Sequence, residues 1–470
     1  MTPSERLAAV FKAYDVRGVV PDELDEAVAY SVGVGFARFV GTEADRVVMG
    51  RDMRDSGVAL GRAFASGVAS EGIRVLDAGL VSTDLLYFAS GRLGAPGAML
   101  TASHNPARYN GIKLCRAGAA PIGSESGLGV IGEVAEEVLS GLGDGPPPVS
   151  DGAIEKVELL DEFARHVHSF IDVSSLRPLR VVADTANGMG GLIAPKVLGS
   201  LGLELDILYG ELDGSFPHHP ADPIQRENLV DLQRLIVAQG ADVGLAFDGD
   251  ADRVFLVDET TEPLSGSLTT SIVAAAMLEE HPGETILYNL ICSKAVPEVI
   301  AERGGHGVRT RVGHSFIKAV MKDTGAIFGG EHSGHYYFRE NYRADSGIIA
   351  AVVVLSLLSK AGVALSELRR PFERYADSGE INTEVGDQRA ILAGIEERFS
   401  DEGADLDHLD GLTVDNGSWW FNLRPSNTEP LLRLNLEADS EPECRQHVGE
   451  VLELVRALDH PDAKEPTDAS

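Results

Sequence analysis

Three aspartates stand at alternate positions in DGDADR, residues 248–253, directly after the apolar run VGLAF. Because Asp248, Asp250 and Asp252 follow one strand end, their charges repel one another unless a cation lies between them. Carboxylate oxygens are ligands of hard cations such as Mg²⁺ and Ca²⁺, whereas zinc prefers nitrogen and sulfur. We therefore predict a divalent-cation site here, against the alternative of a solvated acidic turn.

A calcium-binding module is a second interpretation of residues 248–259. Asp248, Asp250, Asp252 and Glu259 match ligand positions of an EF-hand loop. Arg253, however, stands where that loop needs a glycine, and the flanking residues have the character of strands rather than helices. The EF-hand is kept as an alternative from a different functional class.

A serine and a histidine stand side by side in TASHNP, residues 101–106. Ser103 lacks the G-x-S-x-G context of a hydrolase nucleophile, and the neighbouring Asn-Pro and Asn-Gly pairs indicate turns. By itself, Ser103 would be interpreted as a turn residue. Next to a metal loop, a phosphorylated Ser103 would supply the anionic oxygen that the three aspartates still lack.

Two further loops carry polar binding groups. In GGEHSGH, residues 329–335, Glu331 and Ser333 suit vicinal sugar hydroxyls, because each hydroxyl needs an acceptor and a donor. In RPSNTEP, residues 424–430, one arginine and several short donors suit a phosphate dianion. A capped turn is the alternative for the second loop.

The elements that must position these loops alternate along the chain. Apolar runs of strand length, such as DRVVMG at 45–50 and IRVLDAG at 73–79, flank a segment of helical periodicity. This alternation predicts parallel sheets covered by helices, which is an α/β fold. A chain of 470 residues is too long for one hydrophobic core. Composition shifts at residues 141–152, after residue 259 and at Pro371 divide it into four segments.

Charge and cysteine content restrict the class of protein. A net charge of −33 argues against nucleic acid or an anionic membrane as a partner. Three cysteines without C-x-x-C spacing argue against a disulfide framework or a zinc ribbon. No segment reaches the roughly 18 apolar residues of a membrane span, and the first residues lack the apolar core of a signal peptide. We expect a soluble protein of the cytoplasm.

The loops TASHNP, DGDADR, GEHSGH and RPSNTEP, preceded by KAYDVRG at residues 12–18, occur in the order found in the α-D-phosphohexomutase family. Over nearly its whole length the chain resembles the phosphomannomutase/phosphoglucomutase branch of that family. The resemblance implies four domains around a central cleft: three related α/β domains with mixed sheets, and a C-terminal TATA-binding-protein-like α+β domain. The expected limits are 1–148 for the phosphoserine-loop domain, 149–256 for the metal-loop domain, 257–369 for the sugar-loop domain, 370–458 for the phosphate-loop domain and 459–470 for a disordered tail.

The resemblance also implies roles for individual residues. Ser103 corresponds to the family's phosphoserine, and together with Asp248, Asp250 and Asp252 it would hold Mg²⁺. The remaining positions divide into a catalytic group and a substrate-binding group. The catalytic group comprises Arg17, Lys113, His104 and Arg253, and the substrate-binding group comprises His314, Glu331, Ser333, His335, Arg424, Ser426, Asn427 and Thr428.

The implied reaction interconverts mannose 6-phosphate and mannose 1-phosphate, with glucose phosphates also accepted, through a hexose 1,6-bisphosphate that also acts as activator. Phosphoglucomutase and phosphoglucosamine mutase are alternatives, although Asn427 replaces the S-G-T pattern usual in the latter. In one departure, Ile291 takes the place of a lysine found in some members, and the nearby Lys294 would point differently. The partners would be small sugar phosphates, the chain a monomer or weak dimer, and the fourth domain hinged at residues 370–372.

Overall fold

The computed structural model describes residues 2–41, 44–143, 145, 153–426 and 431–459. Its helices are α1 (Pro3–Val10), α2 (Glu26–Val40), α3 (Ser56–Ser70), α4 (Thr83–Leu93), α5 (Gly129–Gly141), α6 (Leu160–His168), α7 (Gly190–Leu198), α8 (Val230–Gln239), α9 (Gly266–Glu280), α10 (Ala295–Glu302), α11 (His314–Thr324), α12 (Gly347–Ala361), α13 (Leu365–Arg369), α14 (Gln388–Glu402) and α15 (Glu441–Asp459). Its strands are β1 (Val16–Val19), β2 (Arg46–Arg51), β3 (Arg74–Leu80), β4 (Gly97–Leu100), β5 (Tyr109–Arg116), β6 (Ala120–Pro121), β7 (Ile154–Lys156), β8 (Arg180–Asp184), β9 (Glu204–Leu208), β10 (Val243–Phe247), β11 (Val254–Asp258), β12 (Thr285–Asn289), β13 (His306–Thr310), β14 (Phe328–Gly330), β15 (Tyr336–Phe338), β16 (Ala376–Glu384), β17 (Asp405–Asp407), β18 (Leu412–Asp415), β19 (Trp419–Pro425) and β20 (Leu431–Ala438).

Within the described residues, the strands form four sheets. The first has the order β1-β5-β4-β2-β3-β7, with β6 attached to β5, and it combines parallel pairs with the antiparallel pairs of β5. The second, β11-β10-β8-β9, and the third, β13-β12-β14-β15, each have three parallel strands and one antiparallel edge strand. These mixed sheets confirm the prediction of three related α/β domains.

The fourth sheet, β16-β20-β19-β18-β17, is antiparallel throughout, and α14 and α15 pack against it. It has a hydrophobic core of its own that extends from Val385 to Val455. The largest core, by contrast, is continuous through the first three domains and includes Leu85, Val181 and Ile286. The predicted α+β character of the last domain is confirmed, and this domain is packed separately from the other three.

Each loop singled out in the sequence connects two antiparallel strands of its own sheet. Residues 101–108 join β4 to β5, and residues 248–253 join β10 to β11. Residues 331–335 join β14 to β15, and residues 426–430 join β19 to β20. In β10 every residue of Val243–Phe247 is buried, and the polar run that follows is buried as well, between the domains.

The predicted domain limits at residues 148 and 256 each separate residues that belong to one sheet. The strand β7 lies beyond residue 148 but pairs with β3 of the first sheet, and β11 continues past residue 256 to Asp258. The helix α15 ends at Asp459, and the rest of the predicted disordered tail, residues 460–470, lies outside the described residues. In the part of the chain that the structure describes, no single helix has the length and apolar character to cross a membrane; the bent pair Gly347–Ala361 and Leu365–Phe372 meets the criterion by length and composition only.

Candidate active site

Ser103 lies at the meeting point of the first and second domains. Its Oγ donates a hydrogen bond of 2.7 Å to Asp248 Oδ2, and its backbone N–H donates to Thr101 Oγ1. Its φ of 50° is in the left-handed region, which costs a non-glycine residue about 1–3 kcal/mol and is concentrated at functional sites. A Cβ atom on Gly249 would lie 2.4 Å from the Ser103 carbonyl oxygen, so the metal loop approaches as closely as only glycine permits.

The three aspartates of the metal loop are buried and converge. Asp248, Asp250 and Asp252 each offer a carboxylate oxygen, and these oxygens lie within 4.8 Å of one another. One buried oxygen of Asp250 and one of Asp252 have no hydrogen-bond partner. A set of converging, uncompensated carboxylate oxygens fits a hard divalent cation. The EF-hand alternative is wrong, because the antiparallel strands β10 and β11 flank this loop instead of helices.

Two cations compensate the carboxylates. Lys113 Nζ donates to Asp250 Oδ2 at 2.7 Å and to Asp252 Oδ2 at 2.8 Å, while Arg253 Nε donates to Asp248 Oδ2 at 3.0 Å. Burial favours the neutral forms of Lys113 and Asp250, but their mutual attraction outweighs it: the pKa of Lys113 is well above its usual value and that of Asp250 is well below. Both groups are therefore charged, whereas burial raises the pKa of Asp248, the carboxyl group beside Ser103, well above its usual value.

His104 and Arg17 complete the predicted catalytic group on the side of the first domain. His104 Nδ1 lies 3.4 Å from Ser103 Oγ. The charge of Arg253 and burial lower the pKa of His104 well below its usual range, so its imidazole is neutral near pH 7. Arg17 is held by Asp15 and by the side-chain oxygen of Asn105 in the serine loop. The first domain thus presents a neutral imidazole and a fixed guanidinium next to the serine.

The sugar loop of the third domain reaches the metal loop. A backbone bridge pairs Arg253 with His335, and His335 Nε2 lies 3.8 Å from Asp252 Oδ1. Ser333 Oγ lies 3.0 Å from His335 Nδ1. Glu331 is buried and accepts hydrogen bonds from the Tyr337 hydroxyl at 2.7 Å and from a backbone N–H at 3.1 Å, so its carboxylate has a fixed orientation.

The phosphate loop of the fourth domain is described in part. Arg424 is buried and forms an ion pair of 3.1 Å with Glu380, and burial lowers its pKa. The backbone N–H of Ser426 donates to the Leu431 carbonyl. Asn427, Thr428 and the side chain of His314 lie outside the described residues, although His314 begins α11.

Ile291, which takes the place of a lysine found in some family members, and the nearby Lys294 both belong to the contact between the third and fourth domains. Ile291 is buried beside Trp420 and Glu437. Lys294 Nζ donates to Asp415 at 2.7 Å and to the Gly417 carbonyl at 2.8 Å. Lys294 therefore connects the third and fourth domains in this structure.

Sequence reasoning missed several residues that support the site. Thr83 Oγ1 donates to Asp250 Oδ2 at 2.6 Å, and its N–H donates to the Asp250 carbonyl. Arg54, in GRDMRDSG at residues 50–57, donates to carbonyls of the serine loop. The signal that could have found Arg54 is a charged pair, Asp52 and Arg54, directly after the buried strand β2. For Thr83 no local signal exists.

Comparison with known proteins identifies relatives with this organisation. The phosphoglucomutase/phosphomannomutase family models match four consecutive parts: alpha/beta/alpha domain I at 8–138, domain II at 161–262, domain III at 265–375 and the C-terminal domain at 380–454. A phosphomannomutase of Salmonella montevideo is 37% identical over 458 residues, covering 95% of this chain and 99% of the relative. A phosphomannomutase of Methanocaldococcus jannaschii is 38% identical over 450 residues, covering 96% and 98%.

Solved structures agree with these matches. The crystal structure of a phosphoglucomutase/phosphomannomutase family protein from Burkholderia thailandensis superimposes with a TM-score of 0.87 at 29% identity, and the match covers 99% of each chain. A phosphomannomutase structure from Thermus thermophilus, at 23% identity and a TM-score of 0.80, shares the fold. The family resemblance inferred from the four loops is confirmed.

Proposed function

Because the chain belongs to the phosphoglucomutase/phosphomannomutase family, we propose that it interconverts mannose 6-phosphate and mannose 1-phosphate and also accepts the glucose pair. The observation that carries the proposal is the hydrogen bond of Ser103 to Asp248 inside a cluster that also holds Lys113 and Arg253. A serine aimed at a buried carboxylate cluster, with cations on both sides, suits phosphoryl transfer better than binding alone.

In the proposed cycle, Ser103 carries a phosphoryl group. Phosphorus forms a bond to a sugar hydroxyl oxygen while its bond to Ser103 Oγ breaks, and the hydroxyl proton ends on Ser103 Oγ. The resulting hexose 1,6-bisphosphate turns round and returns its other phosphoryl group to Ser103 by the reverse step. The same bisphosphate can transfer a phosphoryl group to an enzyme molecule that has lost its own, and it therefore acts as an activator.

The side chains divide the work of the transfer. Lys113, Arg253 and Arg17 neutralise the charge of the phosphoryl oxygens. His104, which is neutral and 3.4 Å from Ser103 Oγ, can hold the proton in transit. Asp248, Asp250 and Asp252 would hold Mg²⁺, which supplies Lewis-acid neutralisation of the phosphoryl group when bound.

Substrate recognition falls to the third and fourth domains. Glu331 would accept hydrogen bonds from sugar hydroxyls, with Ser333 and His335 beside it, and His314 is proposed as a further substrate contact from the sequence alone. The phosphate that is not reacting would be bound by the fourth domain through Arg424, Ser426, Asn427 and Thr428. After the sugar turns round, its two ends have exchanged places, and each is bound by the protein groups that bound the other end before.

The cellular setting follows from the same properties. Cys115, Cys292 and Cys444 are buried and free, which suits a reducing cytoplasm. A net charge of −33 disfavours nucleic acid and anionic membranes as partners and favours a soluble monomer or weak dimer. The partners proposed are therefore small sugar phosphates.

The most specific part of the proposal is the choice between mannose and glucose phosphates. Mannose and glucose differ at the C2 hydroxyl, and discrimination by one hydroxyl is worth about 1–3 kcal/mol unless a buried group is left unpaired. The test is kcat/KM for mannose 1-phosphate, glucose 1-phosphate and glucosamine 1-phosphate on one preparation. We expect both neutral sugars to react and the amino sugar to react poorly. A preference for glucosamine 1-phosphate would instead assign a phosphoglucosamine mutase.

A further inference from the structure

The buried guanidinium of Arg54 donates hydrogen bonds to backbone carbonyls along the serine loop. Arg54 is 1% exposed. Its Nη2 donates to the carbonyls of Ser103 at 2.9 Å and Asn105 at 2.6 Å, and its Nη1 donates to those of Pro106 at 2.9 Å and Tyr109 at 3.0 Å. Its Nε donates to Asp52 Oδ2 at 3.2 Å. All five N–H donors of the guanidinium are thereby used.

Asp52 holds the same guanidinium from its other end. Asp52 is fully buried, its Oδ1 accepts the backbone N–H of Arg54 at 2.9 Å, and its Oδ2 accepts the Nε–H. The N–H of Ser103 donates separately to Thr101 Oγ1 at 2.9 Å. The carbonyl of Ser103 is therefore fixed by the Asp52–Arg54 pair, and its N–H is fixed by Thr101.

The second domain packs on this guanidinium as well. The ring of Phe216 lies 5.1 Å from Arg54, and a Cβ atom on Gly214 would lie 2.6 Å from the Arg54 Cα atom. Asp248, the hydrogen-bond acceptor of Ser103, belongs to the same second domain. Arg54 thus contacts the Ser103 backbone in the first domain and Phe216 in the second domain, which is the domain that carries Asp248.

We propose that Arg54 is a positioning residue for phosphoryl transfer, which holds the Ser103 loop in the one conformation that directs Oγ at the metal loop. Four carbonyls can converge on a planar guanidinium only when the loop follows one path, and that path includes the left-handed φ of Ser103. A lysine keeps the charge but has neither the planar fork nor five donors. The inference rests on the proposed role of Ser103 as phosphoryl carrier.

The first test compares the variants Arg54→Lys and Arg108→Lys with the wild type. Arg108 is exposed on the same loop, so its variant is a matched control. We expect Arg54→Lys to lower kcat by at least about tenfold with KM within about threefold, because a displaced nucleophile slows the chemical step more than binding. Hydrogen exchange at residues 103–109 should accelerate in Arg54→Lys, while Arg108→Lys should resemble the wild type in both measurements.

A second pair of variants keeps the test decisive if Arg54→Lys does not fold. Asp52→Asn removes the charge that holds Arg54 Nε and leaves the guanidinium itself in place, and Asp55→Asn changes an exposed aspartate of the same segment as a control. We expect Asp52→Asn to lower kcat and to accelerate hydrogen exchange at residues 103–109, and Asp55→Asn to do neither. Wild-type kcat and loop exchange in a folded Arg54→Lys or in Asp52→Asn would overturn the inference.

The gain of a phosphoryl group by the protein distinguishes a failure of the proposed function from a failure of this inference. Wild-type protein incubated with glucose 1,6-bisphosphate should gain the mass of one phosphoryl group on Ser103, as should Arg108→Lys, whereas Arg54→Lys should gain it more slowly. If the wild type itself gains none, the phosphoserine proposal fails and takes this inference with it. If Arg54→Lys gains it as fast as the wild type, only the positioning role of Arg54 is overturned.

Discussion

Ser103 Oγ lies 2.7 Å from Asp248 Oδ2, although the two residues belong to different sheets and are 145 positions apart. The contact joins the connection between β4 and β5 to the connection between β10 and β11. The first three domains share a packed core, which holds these two side chains together although they lie on separate domains. The contact between Ser103 and Asp248 is therefore as rigid as that core.

Replacing Ser103 with alanine tests this contact directly. We expect Ser103→Ala to lose activity by at least about 10³-fold, because the oxygen that would carry the phosphoryl group is removed. The measurement is turnover of mannose 1-phosphate together with intact-protein mass. Ser200→Ala, an exposed serine of the second domain, is the control and should keep wild-type turnover. Substantial turnover by Ser103→Ala would rule out the phosphoserine cycle.

Metal removal tests the aspartate cluster. We expect chelation by EDTA to abolish turnover and added Mg²⁺ to restore it, with Ca²⁺ binding but supporting little reaction because its coordination is looser. Asp250→Asn should weaken Mg²⁺ binding measured by calorimetry, whereas the exposed Asp206→Asn should not. A rate that is unchanged after chelation would require another role for the three carboxylates.

The sequence predicted the four loops because each has a local chemical signal. The charges of three carboxylates on one loop repel one another unless a cation lies between them, so the spacing of Asp248, Asp250 and Asp252 was enough for this prediction. The alternation of strands and helices likewise predicted the sheets. Arg424 was found because an arginine among short donors is an unusual cluster in an acidic chain.

The supporting residues could not be found in that way, since their partners are distant in the chain. Arg54 meets Ser103 across 49 positions, and Thr83 meets Asp250 across 167. Asp84 accepts a hydrogen bond from Ser346 across 262 positions. The charged pair after β2 marks Arg54 in the sequence but does not indicate its partners, and a polar residue at a helix start such as Thr83 is locally unremarkable, so only the packing of domains reveals these roles.

The buried carboxyl of Asp84 predicts a pH dependence of stability. It lies at the start of α4, accepts the Ser346 hydroxyl at 2.7 Å, and burial raises its pKa to about 7. Between about pH 4 and about pH 7 the folded protein keeps a proton on Asp84 that the unfolded chain releases. This group's contribution to the free energy of unfolding therefore falls as pH rises through that window.

The variant Asp84→Asn isolates this contribution. An uncharged amide does not titrate, so the free energy of unfolding of the variant relative to wild type should rise by about 2 kcal/mol from about pH 5 to about pH 8. Urea unfolding at several pH values is the measurement, with the exposed Asp323→Asn as control. If the difference in the free energy of unfolding between the variant and the wild type does not change with pH, Asp84 is ionised over the whole of this pH range.

Closure of the fourth domain is the remaining prediction. This domain has its own core, and its contacts with the third domain include the polar bonds of Lys294 to Asp415 and Glu437. A cavity of about 280 Å³ lies between the two domains. Phe372 is buried in the core of the first three domains, Arg374 and Tyr375 both bond to Glu298 of α10, and the fourth sheet begins at Ala376, so we expect the pivot directly after Tyr375.

Small-angle scattering with and without glucose 1,6-bisphosphate measures this closure. We expect the radius of gyration to fall on binding, because the phosphate loop must follow the distal phosphate towards the cleft. Lys294→Ala should enlarge the radius of the free protein and raise KM by about two- to fivefold, since a partly exposed ion pair is worth up to about 1 kcal/mol. Lys322→Ala, which removes an exposed charge from the same domain, should do neither. Scattering profiles that coincide with and without the bisphosphate would show that the fourth domain does not move, and the sugar would then have to turn round inside a cleft of fixed width.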